Sequence, residues 1–380
     1  MFSYFFIYIR QTQNDTIMFR WLLLPFTLIY SIIVWMRNKM FDINLLPSKE
    51  FNIPLISVGN ITVGGTGKTP HVEYMVRLLH DDHKIAVLSR GYKRQKKGFI
   101  VADKESTSSD IGDEPKQIKR KYPDIAMAVD GNRVKGVEKL MKGAAGFDPD
   151  IILLDDAFQH RYVKPGLSIL LVDFNRPLEK DYILPYGRLR ESMYEKKRAN
   201  IVIVTKTPRD LKPIDRRIIS KEMKLFPYQS LYFTYLKYGA LTRVFESDKQ
   251  LSLEMAKDKN IKVLLITGIA NPVPLKEYLM EYFDDITHLN FSDHHNYGPK
   301  DVKKVLKAFD KIDSDFKIII TTEKDAVRIG DSKSFKESSL PIYYVPIEVD
   351  FLDDDKEDFK KRVLSYISNN KKPSSLNRTI

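Results

Sequence analysis

The chain contains no cysteine in 380 residues. Disulfides and thiolate metal centres are excluded, and a reducing compartment is compatible with that composition. Tryptophan occurs twice, at Trp21 and Trp35, and both mark the ends of one apolar run, Trp21 to Met36. That run is too short to span a bilayer. Its sixteen residues make a helix of about 24 Å against a hydrocarbon core of about 30 Å. No small-residue cleavage site follows it, which argues against a secretory signal. With Arg20, Arg37 and Lys39 on its flanks, it is expected to lie in a membrane surface over residues 18–40, a buried first core helix being the alternative. Met1 and Met18 are alternative starts. Acidic residues are in deficit, 50 against 62 basic, and the net charge of +12 calls for an anionic partner. Charge by itself does not choose between nucleic acid, an anionic bilayer and a phosphorylated substrate, and no other feature points to nucleic acid.

Glycine is sparse, 17 in all, yet dense between Gly59 and Gly67. The apolar run Leu55 to Val58 predicts a buried strand, and Val72, Met75, Val76 and Leu79 recur at helical spacing. Strand, glycine loop and Gly67-Lys68-Thr69 opening a helix form a phosphate cradle, Thr62, Val63, Gly64, Gly65, Thr66, Gly67, Lys68 and Thr69. Lys68 would reach the terminal phosphates of ATP, and the Thr69 hydroxyl would bind Mg²⁺. Thr62 stands where the common pattern has glycine. The paired glycines are like those of partitioning and division-site ATPases, so a membrane-associated ATPase switch is the alternative. Val63 replaces the lysine that marks that group.

Downstream, Ile85 to Leu88, Ile125 to Val129, Asp150 to Asp156, Leu167 to Asp173 and Ile201 to Thr205 read as strands alternating with helices. This predicts an α/β fold with a mostly parallel sheet. Residues 103–109 read as a mobile loop. A new rhythm from Leu231 to Leu236 reads as an antiparallel strand and begins a second, smaller α/β domain. The expected division is 18–40 for the membrane helix, 50–225 for the P-loop core, 226–368 for the second domain and 369–380 for a frayed tail.

Asp155 and Asp156 end an apolar strand, where a carboxylate can serve Mg²⁺ beside the phosphates. Asp113 follows the loop; it is either a helix cap or a base that accepts a hydroxyl proton. Asp293-His294-His295 places a histidine beside a carboxylate, which fits general-base work better than a metal cluster. Arg190, close to Glu191, can bind phosphate or simply pair on the surface. Thr322 to Asp325 caps a helix or touches nucleotide.

As a set these stretches resemble the tetraacyldisaccharide 4'-kinases of lipid A synthesis. The matching pieces are Val58 to Pro70, Ser89-Arg90-Gly91-Tyr92, Gly112-Asp113-Glu114-Pro115 and Asp155 to His160. Leu184 to Glu191, Asp293-His294 and Thr322 to Val327 complete the set. The resemblance covers about residues 18 to 330 and accounts for Thr62; Ala157 departs from it, where glycine is common. It implies ATP- and Mg²⁺-dependent phosphorylation of the 4'-hydroxyl of a lipid A disaccharide 1-phosphate at the cytoplasmic face of the inner membrane. It further implies that Lys68 and Thr69 serve phosphate and metal, and that Asp155 and Asp156 serve the metal. Asp113 and His294 would form an acid–base couple, with Arg133, Arg190 and Glu191 around substrate or phosphates.

Overall fold

A computed structural model describes residues 21–245 and 250–370. The chain divides into two units, one built from residues up to 88, 133–235 and from 350 onward, the other from 89–132 and 236–349. The fold class expected from the strand–helix alternation is present in each.

In the first unit the strands Leu55–Gly59, Ile85–Ser89, Ile151–Asp155, Leu167–Asp173, Ile201–Thr205 and Ser230–Tyr238 form a parallel array. Leu55–Gly59 lies between Ile151–Asp155 and Leu167–Asp173. Every residue of these three strands is buried. Near-continuous apolar runs are what a parallel sheet covered on both faces requires. Leu170, Val172, Val202, Val204 and Phe233 pack with Met223 of helix Pro213–Met223. Because side chains alternate across a strand, Val58, Ile169 and Ile203 point the other way, toward Met75 of helix Lys68–Leu79 and Phe359 of helix Asp355–Asn369.

The second unit has its own parallel core, Ile342–Val345, Lys317–Thr322, Lys262–Thr267 and Ile286–Asn290 in spatial order. Two antiparallel strands, Leu241–Arg243 and Gln250–Leu251, extend it at one edge. Val302, Val305 and Phe309 of helix Pro299–Asp310 cover Leu264, Ile266 and Ile319. Leu253, Leu275 and Leu279 cover Val263, Leu265 and Ile320. The segment 89–132 adds the helix Asp113–Lys121 to this unit; its antiparallel pair Ile100–Val101 and Ala126–Val129 stands at the end of the nine-stranded sheet that holds Leu55–Gly59.

Three expectations need correction. A division at residue 226 misplaces Ser230–Tyr238, which pairs parallel with Ile201–Thr205 in the first unit rather than opening the second. Its alternation arises because Thr234, although polar, is buried, its hydroxyl meeting the His71 ring. Residues 89–132, read as part of the core, group with the second unit, although strand Ala126–Val129 stands in the core sheet as expected, and helix Asp355–Asn369 groups with the first. Within residues 103–109 the backbone is held locally: Asp103 accepts from the Glu105 and Ser106 N–H groups, and a capping box at Thr107 starts helix Ser108–Ile111. Residues 18–20 and 371–380 of the expected helix and tail lie outside the described residues.

Candidate active site

Strand Leu55–Gly59 delivers the glycine loop at its carboxyl end, where open α/β sheets bind ligands. Gly59 is required by packing, since a Cβ there would lie 2.8 Å from Phe158 Cβ. Gly67 caps helix Lys68–Leu79 with φ of 83°, a left-handed conformation that glycine takes without strain. Thr62 is buried and bridges to Leu189, and Asn60 Nδ2 donates to Thr66 Oγ1 at 2.7 Å. The tie to the neighbouring segment is made by backbone, Val63 N–H to the Arg188 carbonyl at 2.8 Å and Arg190 N–H to the Ile61 carbonyl at 2.7 Å, while the Thr62 hydroxyl faces Asn60 Nδ2 at 3.4 Å.

Asp155 ends the adjacent strand and is buried; Asp156 follows in a left-handed turn with φ of 46°. That turn aims the Asp156 carboxylate at the loop: Lys68 Nζ lies 3.6 Å from Oδ2, and Arg190 Nη1 lies 3.2 Å from Oδ1. Arg133, from helix Arg133–Met141, is 2% exposed and donates to the Asp155 carbonyl at 3.2 Å. Arg190 thus pairs with Asp156 rather than with Glu191. Glu191 is buried and accepts from Arg198 at 2.6 Å, from Gln159 at 2.9 Å and from Asn38 at 3.2 Å. Gln159 also reaches the Asn60 carbonyl at 2.7 Å and Arg190 at 3.1 Å. Lys68, Asp156, Arg190 and Gln159 therefore form one contiguous polar cluster at the mouth of the loop, and Arg133 and Glu191 buttress it. Gln159 and Arg198 carry no spacing signal of their own; their roles come from the fold.

Helix Leu24–Asp42 rests on this cluster by its polar stripe. Tyr30 donates to the Arg190 carbonyl at 2.9 Å, Arg37 to the Gln159 carbonyl at 3.1 Å, and Thr27 accepts from Tyr186 N–H at 3.0 Å. Leu22, Phe26, Ile29, Ile33 and Met36, spaced three or four apart, are all more than half exposed. The helix thus presents its apolar side outward, the reverse of a core helix. No helix among the described residues is long and apolar enough to cross a membrane.

In the second unit, Asp113 stands at the first position of its helix, but its side chain does not cap it. Oδ2 lies 3.0 Å from His294 Nδ1 and 2.5 Å from Arg328 Nη2. His294 is presented by a left-handed turn, φ 63°, and its Nε2 faces Lys324 Nζ at 3.4 Å and Asp293 at 3.9 Å. With Nδ1–H donated to Asp113, Nε2 is left as the ring's proton acceptor. His295 turns away to Asp301 at 3.1 Å, so the adjacent histidines do not share a site. Thr322 and Asp325 form the expected cap, and Asp325 also accepts from Gly268 N–H at 2.9 Å and from Arg328 at 3.2 Å. Arg328, 5% exposed and i+3 from Asp325, was not singled out by any sequence motif.

Burial pushes the Asp113 carboxyl up, but the Arg328 hydrogen bond and charge and the His294 bond outweigh it and hold the group below its ordinary value. Its contribution to stability is therefore complete above about pH 4, the unfolded value, and is lost as pH falls through the lower folded value. Arg328→Met should cost about 3–5 kcal/mol, because it takes the cation from the buried Asp325 carboxylate as well as from the part-buried Asp113. The variant should also lose less stability than wild type between neutral pH and acid. Urea unfolding at both pH values checks this; an equal acid loss in the two proteins would contradict it.

Comparison with known proteins gives the family of the chain. Residues 19–368 match the family model described as tetraacyldisaccharide-1-P 4'-kinase. The tetraacyldisaccharide 4'-kinase of Phocaeicola vulgatus is 50% identical over 358 residues, covering 94% of this chain and 97% of the relative. Its counterpart in Flavobacterium johnsoniae is 41% identical, covering 93% of this chain and 99% of the relative. Among solved structures, LpxK of Aquifex aeolicus in complex with ATP superposes with a TM-score of 0.72 at 26% identity, covering 92% of this chain and 99% of that one. With family model and relatives both spanning nearly the whole chain, the protein belongs to the tetraacyldisaccharide-1-P 4'-kinase family.

Proposed function

We propose that the chain transfers the γ-phosphoryl group of ATP to the 4'-hydroxyl of the tetraacyldisaccharide 1-phosphate precursor of lipid A, at the cytoplasmic face of the inner membrane. The observation that carries this reading is Lys68 in the first turn after the glycine loop, 3.6 Å from Asp156, with Arg190 on the same carboxylate. Both cations now held by Asp156 are placed to turn to an entering triphosphate, and the N–H groups at the helix start add partial positive charge. Asp113 and His294 take the proton of the attacking hydroxyl as a couple, the Nδ1 proton staying between them. Arg133 and Glu191 keep Asp155 and Arg190 in place.

The donor set suits Mg²⁺. Thr69, Asp155 and Asp156 offer hard oxygens, and among the described residues there is no group of three His, Cys, Asp or Glu that could hold a metal. Mg²⁺ takes few protein ligands and completes its shell with water and phosphate oxygens, so such a site needs no dedicated cage. Bound there, it would neutralise charge developing on the transferring phosphoryl. Nothing specific favours the ATPase-switch alternative.

A substrate with four acyl chains stays in its bilayer, since each exposed CH₂ costs about 0.8 kcal/mol. The enzyme must therefore come to the lipid, and the outward apolar stripe of helix Leu24–Asp42 is the surface to do it. Phe26→Glu with Ile33→Glu should release the protein from anionic vesicles in a flotation assay while ATP binding persists; unchanged flotation would remove the helix from this role.

Incubation with γ-labelled ATP and the lipid disaccharide tests the reaction, with mass spectrometry locating the new phosphate. Label in free phosphate and none in lipid would overturn the assignment.

A further inference from the structure

The back of the phosphate loop is held by three side chains that no motif of the loop includes. Three consecutive carbonyls each accept from outside it. Lys206 Nζ donates to the Gly65 carbonyl, Thr205 Oγ1 to that of Thr66 at 3.0 Å, and His71 Nδ1 to that of Gly67 at 2.7 Å. Each donor is itself fixed. Lys206 pairs with Asp173 at 2.7 Å, and Asp173 is 3% exposed at the end of strand Leu167–Asp173. Thr205 is fully buried at the end of the next strand. His71 Nε2 meets the Thr234 hydroxyl at 3.0 Å. A carbonyl only accepts, so His71 Nδ1 carries the proton it donates to Gly67.

A trans peptide points its C=O and its N–H in opposite directions. Anchoring the Thr66 and Gly67 carbonyls from behind therefore turns the N–H groups of Gly67 and Lys68 to the front. At a helix start such groups lack intrahelical partners and are free for an anion. Lys206 adopts φ of 58°, a conformation seldom taken by residues other than glycine. Its charge is answered by Asp173 rather than aimed at phosphate, which marks it as a strut.

We propose that Lys206, Thr205 and His71 are positioning residues that hold the phosphate loop in its binding shape before ATP arrives. The inference rests on the loop taking the triphosphate of ATP. A loop formed in advance spares the nucleotide the entropy of ordering it, so loss of a strut weakens ATP without touching recognition of the lipid.

Calorimetry with ATP and Mg²⁺, together with separate KM values for ATP and for the lipid disaccharide, tests it on the full chain. Lys206→Met should weaken ATP about 10- to 100-fold and leave the lipid KM unchanged, and Lys206→Arg should recover part of the loss. Thr205→Val, nearly isosteric, should weaken ATP about 2- to 10-fold, and it decides the matter if the lysine variant does not fold. Unaltered ATP affinity in the folded variants, or a parallel loss of both substrates with falling thermal stability, would overturn the inference. Absence of ATP uptake by the wild type would sink the nucleotide assignment and this inference with it.

Discussion

Lys68→Met is expected to lower kcat by about 100- to 1,000-fold, the range seen when one preorganised stabiliser of developing charge is removed. Lys68 is the first residue of its helix, and the left-handed Gly67 before it sets the angle at which the side chain leaves the loop. Its ammonium lies at the Asp156 carboxylate with 14% of the side chain exposed, so it is already desolvated and aimed. An interaction of that kind is worth more in the transition state than in water, because no solvent must reorganise as charge develops. Asp156 keeps Arg190 after the substitution, so the variant should fold with little change in melting temperature. Steady-state kinetics at saturating ATP and lipid decides the point, and wild-type turnover would remove Lys68 from the chemistry.

Asp113→Asn and His294→Gln should each reduce kcat by about 100- to 10,000-fold, the usual span for a positioned acid–base group. The stronger test is their combination. Asp113 Oδ2 and His294 Nδ1 are 3.0 Å apart, and Arg328 contacts both, so removal of either leaves the other without its partner. The double variant should then be little worse than the poorer single one. Multiplied losses would mean that the two residues act independently and that the couple does not exist.

The parts of the site that were legible in advance share one property: their chemistry lies in consecutive residues. Gly64 to Thr69 forms its loop from local backbone conformation, and Asp155-Asp156 takes its place because an apolar strand carries it there. Asp113 and His294 could be paired only by resemblance, since 181 positions separate them. Arg328, Gln159 and Lys206 were missed because each acts through atoms distant in sequence: Arg328 on Asp113, Gln159 on Glu191, Lys206 on Gly65. The domain boundary failed for a related reason. Thr234 broke an apolar run and made Ser230–Tyr238 look half-exposed, although its hydroxyl is satisfied inside the first unit.

By itself the sequence determined the α/β alternation, the phosphate loop, the short apolar N-terminal run and the basic surplus, because apolar periodicity and backbone conformational preference act over a few residues. Tertiary structure decided which cation answers which carboxylate, which of two histidines meets Asp113, which side of helix Leu24–Asp42 turns outward and how the units are assembled from separated segments. Those choices depend on burial and hydrogen-bond satisfaction between strands far apart in the chain, and no local pattern encodes them.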